Sequence, residues 1–238
     1  MVRERFFIMK IAGLRKLTLL DFPGRVACVV FTNGCNFRCP FCHNASLVLP
    51  RGEHEDISEE EFFAFLRKRK GILDGVVITG GEPTLAKGLY EFIAAVKQEG
   101  YPVKLDTNGS FPDKLTPLLR DGLLDYVAMD IKTVPEKYEA VAGVKVDMEA
   151  LAESIEAIKA SGVPHEFRTT VVKGLHNEED IVGIAKMLGE SETYYLQGFV
   201  DSGDILAEGC AAFSDEEMHA MLNAVKEFCP KCELRGIE

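Results

Sequence analysis

The sequence predicts an α/β protein whose fold is a partial, open (β/α)6 barrel, built as a single domain. Short apolar runs alternate six times with helical patterns along the chain, and no long linker or charge block interrupts them. Such alternation favours a parallel sheet with right-handed crossovers. Six units are too few for the usual eight-fold barrel, and a doubly wound open sheet is the competing layout.

Continuous apolar runs and apolar residues at helical spacing predict the individual elements. The predicted strands are residues 26–31, 75–79, 101–105, 126–129, 165–172 and 193–197. Capping boxes, Ser58 with Glu61 and Ser214 with Glu217, mark the starts of the first and last helices, and a polar stretch at residues 50–56 precedes the first. The chain divides into three parts, which are a leading extended segment (1–25), a core (26–200) and a C-terminal helix with a cysteine-containing tail (201–238).

Composition and charge restrict the classes of function. The chain has 238 residues, of which 47% are hydrophobic and 27% are charged, as in ordinary globular proteins. Its net charge of −11 argues against general binding to nucleic acid or to an anionic membrane, because lysine and arginine neutralise phosphates. The chain shows no signal-peptide pattern and no run of membrane-spanning length, and its seven cysteines indicate reduced thiols or metal ligands. We therefore expect a cytoplasmic protein without a nucleic-acid or membrane partner.

Three cysteines, Cys35, Cys39 and Cys42, follow the first predicted strand with the spacing C-x3-C-x2-C. Thiolates are soft ligands that favour zinc or iron–sulfur clusters. A closed zinc site needs four protein ligands, whereas three cysteines on a four-iron cluster leave one iron open to a substrate or cofactor. Two other interpretations stay open on spacing alone, namely a zinc knuckle completed by His43 and ordinary buried thiols.

Polar motifs follow three other predicted strands, at residues 80–83, 106–109 and 130–132. In parallel α/β folds the carboxyl ends of the strands carry the active site, because the loops converge there. Gly80-Gly81-Glu82-Pro83 predicts either a turn or a ligand site, in which the glycines admit a ligand to the backbone and Glu82 accepts hydrogen bonds from an ammonium group. The second motif is either an Asx turn or a source of oxygen ligands for a cation. The third is either an exposed ion pair or a contact to a ligand.

Two longer segments, Thr18–Gly24 and Thr32–Asn44, make the chain resemble the radical S-adenosylmethionine (SAM) enzymes that activate glycyl-radical enzymes. It is most similar to activators of anaerobic ribonucleoside-triphosphate reductase and more distantly similar to activators of pyruvate formate-lyase, with motifs over about residues 10–200. The resemblance implies an anaerobic oxidoreductase in which a reduced [4Fe-4S] cluster cleaves SAM. The 5′-deoxyadenosyl radical then takes a hydrogen atom from a glycine of a partner enzyme. It also implies flavodoxin or ferredoxin as the reductant.

The resemblance further implies roles for thirteen residues. Cys35, Cys39 and Cys42 would hold the cluster, and the cofactor-binding residues would be Phe41, His43, Gly80, Gly81, Glu82, Asp106, Thr107, Asp130, Lys132 and Arg168. Phe41 and His43 would lie near the adenine, and Glu82 would bind the amine of SAM. Asp106, Thr107 and Asp130 would help to hold a monovalent cation beside the SAM carboxylate, and Lys132 and Arg168 would line the SAM site.

The sequence departs from the pyruvate formate-lyase activators after the sixth strand, where Leu196–Phe199 stands in place of a loop that carries a histidine. This departure puts pyruvate formate-lyase in doubt as the substrate. Three other functions stay open: an iron–sulfur electron carrier, a zinc-stabilised interaction domain, and a radical SAM enzyme for a small molecule, such as a carboxy-deazaguanine synthase. Cys210, Cys229 and Cys232 suit either metal binding or a plain helix end, and we predict no second cluster.

Overall fold

One sheet of eight strands forms the centre of the computed structural model, which describes residues 9–49 and 56–237. The strands lie side by side in chain order, and they are β1 (Gly13–Thr18), β2 (Ala27–Thr32), β3 (Gly75–Gly80), β4 (Val103–Thr107), β5 (Tyr126–Asp130), β6 (His165–Val171), β7 (Tyr194–Gly198) and β8 (Cys232–Arg235). β1 pairs with β2 in the antiparallel direction, and each later pair of neighbours is parallel.

The order of the strands decides between the two layouts expected for this sheet. A doubly wound sheet reverses its order at a switch point, whereas these strands continue in one direction, as they do in a barrel. Within the described residues β1 and β8 do not pair with each other, so the barrel stays open between them. The predicted partial, open (β/α)6 barrel is therefore confirmed, and β2 to β7 are its six parallel strands.

Helices connect the parallel strands and pack on one face of the sheet. In the described residues they are α1 (Ala45–Val48), α2 (Glu59–Lys68), α3 (Leu89–Gln98), α4 (Pro112–Arg120), α5 (Tyr138–Ala142), α6 (Met148–Ala160), α7 (Glu178–Leu188) and α8 (Asp215–Val225), with 3-10 turns at Pro83–Leu85 and Pro135–Lys137. Both predicted capping boxes form, because the Ser58 hydroxyl accepts from the N–H of Glu61 and the Ser214 hydroxyl accepts from that of Glu217. A third box at the start of α7 was not predicted.

The two faces of the strands bury different side chains, because successive residues of a strand point to opposite faces. Val30 of β2 joins the large apolar core between the sheet and the helices. Ala27 and Val29 lie on the other face and pack with Phe22 and Val77 in a smaller apolar cluster inside the barrel. This cluster fills the amino-terminal end of the barrel, so open space remains at the carboxyl ends of the strands.

The C-terminal tail ends in a strand, which corrects the expectation of a helix end with two thiols. α8 forms as predicted, but Cys232 begins β8, and both Cys229 and Cys232 are buried. The strand was missed because its four residues, Cys-Glu-Leu-Arg, contain no apolar run. β1 and β8 come from the leading segment and the tail, and the domain boundaries at residues 25 and 200 stay a prediction.

Other expectations concern the remaining parts of the chain. The polar stretch at residues 50–56 lies outside the described residues except for Asp56, and so do the first eight residues of the leading segment. Among the residues that the structure describes, no helix is both long enough and apolar enough to cross a membrane.

Candidate functional site

An open cavity of about 370 Å³ lies at the carboxyl ends of the parallel strands. All thirteen residues for which a role was expected line it, and they are Cys35, Cys39, Phe41, Cys42, His43, Gly80, Gly81, Glu82, Asp106, Thr107, Asp130, Lys132 and Arg168. The topology explains this convergence, because each polar motif stands at the end of a strand and the strands are neighbours in chain order. Motifs that are far apart in the sequence therefore share one space.

The loop that carries the three motif cysteines is held in place by hydrogen bonds. The N–H of Arg38 donates to the carbonyl oxygen of Ala142 at the end of α5, at 2.7 Å. The sulfur of Cys35 accepts a hydrogen bond from the N–H of Phe37 at 3.3 Å. All three thiols lie at the cavity wall and are wholly or partly buried. The loop thus presents three soft donor atoms to one space.

Burial and nearby charge act in opposite directions on these thiols. Burial raises the pKa of Cys39 to about 12, against the lowering effect of the Lys132 ammonium group. Burial also raises the pKa of Cys35 and of Cys42, against the lowering effects of a backbone N–H and of Lys132. Metal binding requires thiolates, so a bound metal must itself favour the loss of these protons.

The turn Gly80-Gly81-Glu82 is fastened to the segment just before the cysteine motif. The N–H of Gly81 donates to the Thr32 oxygen at 3.0 Å, and the N–H of Glu82 donates to the Gly34 oxygen at 2.7 Å. Gly80 has a φ of +128°, and a Cβ atom on either glycine would overlap the backbone of Thr32 or Gly34. The close contact between this turn and the segment before the cysteines therefore requires glycine at both positions. The expectation that Gly80 and Gly81 also admit a ligand stays a prediction.

Glu82 is a buried carboxylate without an ion-pair partner. Its exposed fraction is 1%, and it accepts hydrogen bonds from the N–H of Thr84 at 3.0 Å, the hydroxyl of Thr107 at 2.8 Å and the N–H of Asn108 at 2.7 Å. Burial raises the pKa of Glu82, and these hydrogen bonds oppose the rise. In the described part of the chain no lysine, arginine or histidine pairs with it. A carboxylate in this state suits a cationic group of a ligand.

A second group of charges lies on β4, β5 and β6. Asp106 Oδ1 accepts from the Lys104 ammonium at 2.5 Å, and Asp130 Oδ1 accepts from Arg168 Nε at 2.9 Å. The other Asp106 oxygen lies 3.5 Å from Arg168 Nη1, and the other Asp130 oxygen lies 3.2 Å from Lys132 Nζ. Burial acts to raise the pKa of both carboxyl groups, but the cations outweigh it and hold both pKa values below their ordinary range. Arg168 also lies 3.8 Å from the buried carboxylate of Glu166, which Arg235 contacts at 2.8 Å. The group therefore has four cations and three carboxylates, which leaves one positive charge in excess.

Comparison with known proteins decides the family. Residues 29–188, more than half of the chain, match the model of the radical SAM superfamily. The chain belongs to the radical SAM superfamily. Over 198 residues it is 37% identical to a candidate glycyl-radical enzyme activating enzyme of Methanocaldococcus jannaschii, and the match covers 79% of each protein.

Two further relatives bear on this radical SAM chain. Over 164 residues it is 32% identical to a candidate GTP 3′,8-cyclase of Thermococcus kodakarensis, and the match covers 68% of this chain and 53% of that protein. The crystal structure of a domain of pyruvate-formate lyase-activating enzyme from Bacteroides vulgatus matches with a TM-score of 0.55 at 17% identity, over 68% of this chain and 99% of that one. At that identity the structural match supports a shared fold.

A radical SAM enzyme uses a [4Fe-4S] cluster and SAM, and the side chains of the cavity fit both. Three thiols on one loop suit three irons of a cubane, which leaves the fourth iron open. Within the described residues no three Cys, His, Asp or Glu side chains gather around one point as a single metal ion requires. A cubane does not need such gathering, because each thiolate binds a different iron. The unpaired anion and the excess positive charge suit the ammonium and carboxylate groups of SAM.

Aromatic rings form the cavity wall beside the cysteine loop of this radical SAM enzyme. Phe41 is buried and meets the ring of His176 edge-on, with 6.2 Å between centroids. The ring of His43 stacks on Phe199 at 5.5 Å. Burial lowers the pKa of His43, which keeps its ring neutral near pH 7. A neutral, flat ring of this kind suits contact with a nucleobase.

Several polar residues in or beside the cavity were not predicted, and three of them are Asn108, Lys104 and Asp21. The side-chain nitrogen of Asn108 donates to Asn36 Oδ1 at 2.9 Å and lies 3.9 Å from the sulfur of Cys35. Asn108 stands inside the motif at residues 106–109, so the signal was visible. Lys104 lies two residues before Asp106 on β4. Because successive side chains of a strand point to opposite faces, the sequence already indicates that these two share a face. Asp21 reaches the cavity from the leading segment, which no local pattern indicates.

The cysteines of the C-terminal segment lie outside the cavity lining. The thiol of Cys229 is buried and donates to the Glu192 carbonyl oxygen at 3.3 Å. Cys232 is buried in the sheet, and Cys210 is partly exposed. Their positions give Cys229 and Cys232 a packing role in the described structure, and the expected absence of a second cluster stays a prediction.

Proposed function

We propose that the chain is a radical SAM activating enzyme that generates a glycyl radical on the large subunit of an anaerobic ribonucleoside-triphosphate reductase. The observation that carries the proposal is the unpaired buried carboxylate of Glu82 in the same cavity as three loop cysteines. A buried anion is costly unless a positive group meets it. The amine of SAM is such a group, and Cys35, Cys39 and Cys42 would hold the cluster beside it.

The other charged residues would complete the site for SAM. Lys132 and Arg168 bring positive charge to the wall where the SAM carboxylate would lie, and Asp106 and Asp130 fix the positions of both cations. Thr107 would act through its hydrogen bond to the carboxylate that binds the amine. The aromatic wall beside the cysteine loop would receive the adenine.

The cofactors supply the difficult chemistry, and the protein binds and orients them. When bound, the cluster would supply the electron for reductive cleavage of SAM, and SAM would supply the group that takes a hydrogen atom from a glycine of the partner. The charged and aromatic side chains of the cavity would hold SAM in one orientation. Flavodoxin or ferredoxin would deliver the electron.

The relatives and the cavity wall support this choice of partner. The relative that is 37% identical is itself a candidate activating enzyme, which supports a glycyl-radical protein as the substrate. Gln197 and Gly198 line the cavity at the end of β7, where pyruvate formate-lyase activators carry a histidine in the following loop. This difference favours the reductase over pyruvate formate-lyase.

A second candidate function is a radical SAM reaction on a small molecule. The 32% identity to a candidate GTP 3′,8-cyclase favours it, although the chain spans only 53% of that protein. Incubation with GTP, SAM and a reductant separates the two functions, because a cyclase consumes GTP and an activating enzyme leaves it intact.

Cleavage of SAM tests the proposed function. The protein is reconstituted anaerobically with iron and sulfide, reduced and given SAM, and 5′-deoxyadenosine and methionine are measured. The wild-type protein should release both, and Cys39→Ala should lose the cluster absorbance together with the cleavage. The matched variant Cys210→Ala lies outside the cavity and should keep both. Cleavage by Cys39→Ala at the wild-type rate would contradict the proposal.

A further inference from the structure

The carboxylates expected to hold a monovalent cation are already occupied by cations of the chain itself. Both oxygens of Asp106 face positive groups, Lys104 at 2.5 Å and Arg168 at 3.5 Å. Both oxygens of Asp130 do the same, with Arg168 at 2.9 Å and Lys132 at 3.2 Å. An alkali ion is held by several oxygens at short range, and here each of these four oxygens already faces a positive group of the chain.

The third expected ligand of the cation is also engaged. The hydroxyl of Thr107 donates to Glu82 at 2.8 Å and accepts from the N–H of Gly109 at 3.1 Å. A hydroxyl oxygen would bind a cation through a lone pair, and the hydrogen bond from Gly109 uses one of its two. Asp106 and Asp130 are therefore the residues that disfavour a bound alkali ion, because their oxygens already face cations of the chain.

Lys104 differs from the other cations of this group by its burial. Its side chain is 2% exposed, and its ammonium also faces the ring of Tyr126, at 5.9 Å from the centroid. Lys104 and Asp106 are two residues apart on β4, so both point to the same face of the strand. A lysine enclosed in this way places a positive charge directly against the carboxylate of Asp106.

We propose that the ammonium group of Lys104 is the built-in monovalent cation of this site and that SAM binding in this protein needs no alkali ion. The inference rests on the proposed function, in which this cavity binds SAM. With Glu166 and Arg235 included, the internal cation keeps the total charge of this group positive by one unit. That excess remains available for the carboxylate of SAM whatever salt is present.

The test compares SAM affinity of the reconstituted protein in potassium chloride, sodium chloride and tetramethylammonium chloride at equal ionic strength, by equilibrium dialysis. The wild-type affinity should agree within about twofold in the three salts. Lys104→Met should bind SAM at least about tenfold more weakly in tetramethylammonium chloride and regain several-fold in potassium or sodium chloride. Lys97→Met, which removes a lysine from outside the cavity, is the matched control and should behave as the wild type.

The melting temperature of the protein without cofactors in the same salts gives a second measurement. The melting temperature of the wild type should be the same in all three salts. That of Lys104→Met should be higher in potassium or sodium chloride than in tetramethylammonium chloride. A tenfold alkali dependence of the wild type, or a Lys104→Met variant that matches the wild type in every salt, would overturn the inference. If Lys104→Met does not fold, Lys104→Arg, which keeps the charge, should retain salt-independent binding. If no protein binds SAM in any salt, the proposed function fails, and the melting temperatures still decide the role of Lys104.

Discussion

Single residues in the cavity differ in whether their charge has a partner. Glu82 accepts hydrogen bonds from three residues but faces no cation, whereas Asp106 and Asp130 each face two cations. The negative charge of Glu82 is therefore available to a cationic group of a ligand. The ion pairs of Asp106 and Asp130 instead hold side chains of the protein in place. This difference separates ligand-binding residues from residues that shape the site.

The role of Glu82 can be tested by removing its charge. Glu82→Gln should weaken SAM binding by roughly 10- to 100-fold, because a hydrogen bond to a charged group contributes about 1.5–3 kcal/mol and 1.4 kcal/mol is a factor of ten. Equilibrium dialysis of the reconstituted protein measures the affinity. Glu99→Gln removes a carboxylate outside the cavity and should bind SAM as the wild type does. Equal affinities for Glu82→Gln and the wild type would rule out this assignment.

Among the elements, the loops after β2 and β3 form one unit, because their backbones touch at Gly81. Gly81→Ala should destabilise the fold by about 1–3 kcal/mol, as overpacking does, and should also lower the iron content, since the neighbouring loop carries the cysteines. Urea unfolding and iron analysis measure the two effects. Gly13→Ala is the control, because its added Cβ would meet Phe31 at an ordinary 3.7 Å. A fully stable, iron-replete Gly81→Ala protein would contradict the loop contact.

β8 contributes to the barrel interior through Arg235, which donates to both oxygens of Glu166 at 2.8 and 3.0 Å. Glu166 is 1% exposed, and Arg168 lies 3.8 Å from it. Arg235→Met should therefore lower the free energy of unfolding by about 2 kcal/mol. This loss is smaller than the loss expected on breaking a fully buried ion pair, because the side chain of Arg235 is partly exposed. The double variant with Glu166→Gln should recover most of the loss, as thermal unfolding would show. An additive double variant would mean that the two side chains do not interact.

For the whole molecule, the paired carboxylates link stability to pH. The pKa values of Asp106 and Asp130 lie below their ordinary range, so the unfolded chain binds more protons than the folded one as the pH falls. Their stabilisation is complete above the ordinary pKa of aspartate, about 3.9, and is lost as the pH falls through the lowered values.

Urea unfolding of the protein without cofactors tests this linkage. The free energy of unfolding should decrease between about pH 5 and pH 3, and it should decrease less steeply for Asp130→Asn, which cannot titrate. Equal slopes for Asp130→Asn and the wild type would show that Asp130 does not contribute.

Much of the molecule could be predicted from its sequence, and the exceptions have physical causes. β2, β3 and β5 contain continuous apolar runs, and β4, β6 and β7 mix apolar with polar residues. The motifs at the ends of these strands had to converge once the strands were parallel neighbours. β8 is too short and too polar to give such a pattern. The shared face of Lys104 and Asp106 could be read from the alternation of β4. The overlap that requires Gly81 depends on a three-dimensional distance, which no local pattern contains.

The most direct test of the proposed function is a radical on the partner protein. The reconstituted enzyme is mixed anaerobically with SAM, a reductant and the large subunit of the anaerobic ribonucleoside-triphosphate reductase from the same organism, and the EPR spectrum is recorded. We predict a glycine-centred radical signal on the subunit, with 5′-deoxyadenosine formed in step with it and no signal when the subunit's glycine is replaced by alanine. Cleavage of SAM without any radical on the subunit would contradict the account.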